Sequence, residues 1–323
     1  MKASILPRLV QFLLLAAAFS LLSRPTLRAQ VLAASNGESV NYFSFAGAPL
    51  GSTNFGLSLY GLATDSQQNL LVAVLDEGVV KLSGTTGSGS ALPIGGSAAF
   101  YYGVAVDSSG NLYMTSSPDN GSASDIKVYK YNGDSGTPSL ITDTGTTGSF
   151  SVRNTVAVDP VTGNIFVADN YENKIYEYPS SGGTVPIATL TTGVSSPYDI
   201  AIDKNENLYV SDGGNNSLIK FTDETGTPTT IDSSLVSAGG IALDGSNDVF
   251  VVGFNSTTSH GYVSEFAPDG ALLSGTFVDL GASNQGDYIT IVNVPEPDGN
   301  QLALLGAGIV MALAAIRRQT RKA

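Results

Sequence analysis

Short apolar runs of about five residues recur along the middle of the 323-residue chain, each closed by a polar turn. A first kind reads Tyr60-Gly-Leu-Ala-Thr-Asp65, Tyr102-Gly-Val-Ala-Val-Asp107, Asn154-Thr-Val-Ala-Val-Asp159, Tyr198-Asp-Ile-Ala-Ile-Asp203 and Gly239-Gly-Ile-Ala-Leu-Asp244. A second follows at 69–73, 111–115, 164–168, 207–211 and 248–252, and a third at 78–82, 126–130, 174–178, 218–221 and 262–266. The closing aspartates stand 42, 52, 44 and 41 residues apart. Runs of this length that alternate or nearly fill with apolar residues predict β-strands. The joint Asp-x-x-Gly-Asn, as in Asp107 to Asn111, predicts a hairpin turn with Gly supplying positive φ. The small Ala63, Ala105, Ala157, Ala201 and Ala242 at the centre of the first run suit an innermost strand crowded near an axis.

Three or four antiparallel strands per repeat, at roughly 40–50 residues, predict the blade of a β-propeller, with a β-sandwich as the competing architecture. Five units are complete. A sixth can be assembled from both ends: 287–293 as a first strand, 31–35 as a second and 40–45 as a third. Such a blade closes the ring and leaves no open edge. The expected fold class is therefore all-β, a six-bladed propeller over residues 30–293.

Composition narrows the chemistry. The chain has 37 Gly, one His and no Cys, so disulfides, thiolate zinc sites and cysteine nucleophiles are excluded. Eight of its 15 basic residues lie before residue 30 or after residue 316, while Asp298 alone of its 28 acids lies beyond Pro297. The stretch between carries 7 basic and 27 acidic residues, a net charge of about −20. Nucleic acid is not an expected partner of so acidic a domain.

The ends have a different character. Lys2 and Arg8 precede an almost wholly apolar run from Leu9 to Leu22, and Leu27-Arg28-Ala29 offers a cleavage site. Residues 1–29 read as a secretory signal, the run being short for a spanning helix. At the other end, Val294-Pro295-Glu296-Pro297 and a polar spacer lead into an uncharged stretch from Leu302 to Ile316, then Arg317, Arg318, Arg321 and Lys322. The apolar stretch is expected to enter a membrane as a helix, with the basic end kept cytoplasmic. Prolines on both sides of Glu296 hold the motif extended and open to a protease.

Two resemblances follow from these residues. Residues 294–323 resemble the PEP-CTERM sorting signal of Gram-negative bacteria. That likeness implies an exosortase-type membrane protease as partner, transient or permanent membrane attachment through the tail, and a destination at the cell envelope, cell surface or outside the cell. It also implies an association with exopolysaccharide and a polysaccharide or surface protein as partner. The blades, Val156 to Tyr178 and Ile200 to Phe221 above all, resemble NHL repeats and related six-bladed propellers.

Residues just before each first strand are expected to face one mouth of the central channel: Tyr60, Tyr102, Asn154, Tyr198, Asp199 and Asp287 or Tyr288. They suggest a shallow aromatic and acidic pocket for a sugar or small polar ligand, or alternatively a plug of packed tyrosines. A related family, the gluconolactonase-like hydrolases, holds a divalent cation on this face with Glu, Asn and Asp. Asn154 and Asp199 match two of those positions, but Tyr60-Gly61 stands where the Glu is expected. The expectation is thus a non-enzymatic binding module needing no cofactor, with a metal-dependent hydrolase as runner-up. His260 is read as a solvated turn residue, and Asp203-x-Asn205-x-Asn207 as a hairpin turn rather than a calcium loop.

Overall fold

The computed structural model describes residues 29–74, 77–83, 89–92, 100–117, 126–133, 138–144, 155–224, 226–282 and 287–294. Gln30–Val292 form one compact unit. Outside it only Ala29, Asn293 and Val294 are described, so the signal segment and the sorting tail beyond Val294 lie outside the described residues. Among the described residues no helix is long and apolar enough to cross a membrane.

The unit is six four-stranded antiparallel sheets. The closing blade carries β1 (Ala29–Asn36), β2 (Ser39–Ser44) and β3 (Pro49–Asn54). Blade one is β4 (Leu59–Thr64), β5 (Leu70–Val74), β6 (Gly78–Leu82) and β7 (Gly89–Ala91). Blade two is β8 (Phe100–Val106), β9 (Leu112–Ser117), β10 (Lys127–Tyr131) and β11 (Ser139–Asp143). Blade three is β12 (Thr155–Val158), β13 (Ile165–Asp169), β14 (Lys174–Tyr178) and β15 (Ala188–Leu190). Blade four is β16 (Pro197–Ile202), β17 (Leu208–Asp212), β18 (Ser217–Phe221) and β19 (Thr229–Asp232). Blade five is β20 (Ile241–Leu243), β21 (Val249–Asn255), β22 (His260–Phe266) and β23 (Leu272–Ala282). β24 (Ile289–Val294) then joins the closing blade in the order β24-β1-β2-β3. First strands match the predicted runs to within about two residues, and the fourth, outer strands complete each blade.

The cores lie between blades rather than inside them. Leu71 and Val79 of blade one pack with Val104, Leu112 and Met114 of blade two. Phe166 and Ile175 of blade three pack with Leu208, Val210 and Phe221 of blade four. Phe250 and Val263 of blade five pack with Leu32, Phe43 and Ile289 of the closing blade. Middle strands are covered on both sides, which is why β5, β13 and β17 are buried at every position. The closure itself is backbone pairing: Ser35 N donates to Tyr288 O (2.8 Å) and Asp287 N to Ser35 O (3.1 Å).

The turn chemistry departs from expectation. Positive φ occurs in all five hairpins, but glycine supplies it only at Gly110 (81°) and Gly163 (76°); Gln68 (66°), Glu206 (60°) and Asn247 (67°) adopt it elsewhere. The carboxylate offsets the cost, which is about 1 kcal/mol or more for a non-glycine residue. Asp203 accepts from Asn205 N (2.8 Å), Asn207 N (2.9 Å) and Asn207 Nδ2 (2.8 Å). Asp65 and Asp107 repeat this set, so Asp203-x-Asn205-x-Asn207 is a hairpin turn.

Candidate functional site at the channel mouth

The six innermost strands surround a central channel of about 320 Å³, walled mostly by Ala and β-branched residues. The predicted alanines 63, 105, 157, 201 and 242 all line it. Asp199 lines it too, but its carboxylate is committed: Ile200 N and, from the next blade, Ile241 N each donate to it at 2.9 Å. Burial pushes its pKa up to about 6, against the pull of those two amides. Asp199 is therefore a tie between blades four and five.

One mouth opens into a cavity of about 250 Å³ lined by Gly37, Ser58, Leu59, Tyr60, Tyr198, Asp287 and Tyr288. Tyr198 and Tyr288 stack at 5.5 Å with their rings tilted by 44°. Half-buried Asp287 is held by two donors, Tyr198 Oη at 3.2 Å and Gly37 N at 3.3 Å. The cavity thus spans the junction where the closing blade meets itself, with Tyr198 reaching in from blade four. Tyr102 does not line it. Its ring stands edge-on to Tyr60 at 5.2 Å and 76°, and burial, then the neighbouring Tyr60, raises its pKa.

Four of the predicted mouth residues, Tyr60, Tyr198, Asp287 and Tyr288, therefore come together. Tyr102 supports them, Asp199 turns into the channel wall, and Asn154 lies outside the described residues. Sequence reasoning missed Gly37, Ser58 and Leu59: Gly37 reaches the cavity from the β1–β2 turn of the closing blade, and Ser58 and Leu59 reach it where the chain enters blade one. Among the described residues no group of three His, Cys, Asp or Glu side chains is placed to hold a metal ion. His260 opens β22 rather than lying in a turn, and its Nδ1 meets Asp279 Oδ1 at 2.9 Å on the exposed outer edge of blade five.

No family model and no curated protein matches the chain. Solved structures do resemble it. A protein of unknown function from Bacteroides caccae superposes with a TM-score of 0.64 at 11% identity, covering 82% of this chain and 99% of its own. A chain of a nidogen/laminin complex gives 0.62 at 16% identity, covering 81% and 98%. A functionally unknown protein from Desulfotomaculum acetoxidans gives 0.51 at 12% identity, covering 82% and 99%. The fold is a six-bladed β-propeller. At these identities the likeness reaches no further than the fold.

Proposed function

We propose that this protein is an exported, non-enzymatic binding module whose channel mouth takes a sugar unit of a surface polysaccharide or a similar polyhydroxylated group. The arrangement of Tyr60, Tyr198 and Tyr288 around the fixed carboxylate of Asp287 carries this reading. A pyranose has apolar C–H faces that pack on aromatic rings and hydroxyls that donate to a carboxylate. A cavity of about 250 Å³ accommodates one ring rather than an extended chain. Ligand pockets commonly start at about 300 Å³, so this is a small site with modest affinity.

The two chain ends support export and sorting. A signal segment precedes β1, and the Val-Pro-Glu-Pro motif begins at Val294, where β24 ends. In this reading an exosortase-type protease cuts near Pro297 and releases or transfers a ring that its own strands have already closed. No cofactor enters the reading. Titration of the protein with exopolysaccharide fragments, followed by calorimetry, tests the site. Tyr198→Ala and Asp287→Asn should each weaken binding at least tenfold, and unchanged affinity in both would sink the assignment. Mass spectrometry of the protein from the cell surface tests the sorting, which an intact C-terminus at Ala323 would overturn.

A further inference from the structure

A second cavity, of about 370 Å³, opens between the outer parts of blades four and five. It lies where blade five breaks the repeat at a buried position. Opposite the third residue of each second strand, the third strand carries Val80, Tyr129, Tyr176 and Ile219 in blades one to four. Tyr129, Tyr176 and Ile219 each pack in the core shared with the preceding blade. In blade five the same register, opposite Val251, is Ser264, only 3% exposed. A small hydroxyl thus stands where the other blades place a large side chain, and the cleft stays open.

The backbone is shaped around that serine. Val263 pairs with Val278 and Glu265 with Ser274, so Gly275, Thr276 and Phe277 of β23 bulge opposite Ser264 alone. Ser264 Oγ donates to Gly275 O at 2.9 Å and holds the bulge. Bulges of this kind re-aim side chains and are frequent beside binding sites. One pair further along, Tyr262 faces Gly253. A Cβ on Gly253 would meet Tyr262 Cζ at 2.5 Å, so the glycine lets the ring lie across β21. Blades one to four carry Val74, Ser116, Asp169 and Asp212 at that point instead. The segment leaving blade four is fixed to the same place, Phe254 N donating to Val236 O at 2.8 Å.

Tyr262 and Phe254 line the cavity together with the hydroxyl residues Thr257, Ser264 and Thr276, and with Asp232. Asp232 Oδ1 accepts from Ser234 N (2.7 Å) and Ser234 Oγ (2.6 Å), which fixes the carboxylate and leaves Oδ2 for a ligand. None of the lining residues is Lys, Arg or His, so nothing there answers a phosphate or a carboxylate. Hydroxyls both donate and accept, and beside aromatic rings they suit a ring that carries several hydroxyls and an apolar face. The volume falls in the range of small-molecule pockets, which starts at about 300 Å³. We propose that this cleft is a second binding site, and that it takes one neutral saccharide unit. It does not rest on the channel-mouth reading.

The test titrates the full chain with glucose, galactose, mannose and N-acetylglucosamine, and with galacturonic acid as the charged counterpart, followed by calorimetry. At least one neutral sugar should bind, and galacturonic acid should bind at least tenfold more weakly. Ser264→Ile, which installs the side chain of blade four, should fill the cleft and weaken the binding at least tenfold, with a melting temperature within about 5 °C of the unsubstituted chain. Tyr198→Ala, which disables the mouth, should leave a binding event that Ser264→Ile removes, so the two sites fail separately. The proposal is overturned if no neutral sugar binds, if galacturonic acid binds as well, or if Tyr198→Ala alone removes all binding. Unchanged affinity in Ser264→Ile also overturns it. Should that variant not fold, Asp232→Asn decides: binding should weaken severalfold, and unchanged affinity sinks the site.

Discussion

The two ends of the ring use carboxylates in opposite ways. On the turn side, Asp65, Asp107, Asp159, Asp203 and Asp244 each bind amides two to four residues further along the same hairpin. Around the channel, Asp199 binds the amide of Ile241, 42 residues away in the next blade. Asp287 binds Tyr198 and Gly37, 89 and 250 residues away. Backbones follow the same division. A Cβ on Gly61 would meet Tyr102 O at 2.5 Å, and one on Gly240 would meet Tyr288 Cα at 2.7 Å, whereas one on Gly245 in a turn would meet nothing. Turns hold each blade together, and the channel side holds blades to one another. A ligand site needs the second kind of contact, because it must gather side chains from distant parts of the chain.

The strongest way to break this contrast is to insert a methyl group at each end. Gly240→Ala forces apart the backbones of blade five and the closing blade, and should cost about 3 kcal/mol in urea unfolding. Gly245→Ala should change stability by less than about 0.5 kcal/mol. Equal effects would mean that the close approach at Gly240 is not what joins the blades. Next in size is Asp107→Ala. It leaves the amides of Ser109 and Asn111 without their acceptor, and should cost about 2 kcal/mol without altering ligand affinity at the mouth.

Carboxylates held by hydrogen bonds in the hairpins and carboxylates held mainly by burial also have opposite linkage to pH. Burial raises the pKa of Asp107 and Asp65, but hydrogen bonds, led by Asn111 and Asn69, outweigh it and leave both lowered. Their stabilising contribution is present above the unfolded carboxylate range and is lost as pH falls through the folded values. Asp199 is raised to about 6 and Glu224 to about 8, so the folded state binds those protons more tightly than the unfolded chain. Their cost begins to appear near the unfolded values and is complete above about pH 6 and pH 8. Stability should therefore peak at about pH 4–5, decline gradually toward pH 8 and fall steeply below about pH 3.5. A maximum at neutral pH would contradict the buried, raised carboxylates. The smallest effect is expected at Gln68, which holds the left-handed turn position that Gly110 and Gly163 occupy elsewhere. Gln68→Gly should add about 0.5 kcal/mol, read as a higher urea midpoint.

Reading the sequence reached the channel side unevenly. Tyr60, Tyr198 and Asp287 could be found because each directly precedes or begins a recurring run, and the repeat assigns such positions to one mouth. The same reasoning placed Tyr102 and Asp199 beside them. Tyr102 instead packs behind Tyr60, and Asp199 is drawn to the free amide of Ile241. Asp199 stands one position after Tyr60, Tyr198 and Asp287 in the repeat, and the alternation of a strand sends its side chain to the other face. Ser58 and Gly37 carried no signal, being ordinary turn residues. Glu224 sits in the polar Thr222-Asp-Glu-Thr segment and reads as solvated, yet the left-handed turn buries it.

The sequence by itself determined the blade repeat, the pairing of strands within each blade, the assembly of the closing blade from both ends, and the Asp-anchored hairpins. These depend on period-two hydrophobicity and on hydrogen bonds spanning two to four residues, which a linear pattern records directly. Only the tertiary structure decided which carboxylates are free to act. That choice is made where blades meet, by whichever amide, hydroxyl or ammonium the neighbouring blade presents. Asp199 shows this directly, since the amide of Ile241 in blade five takes up its carboxylate.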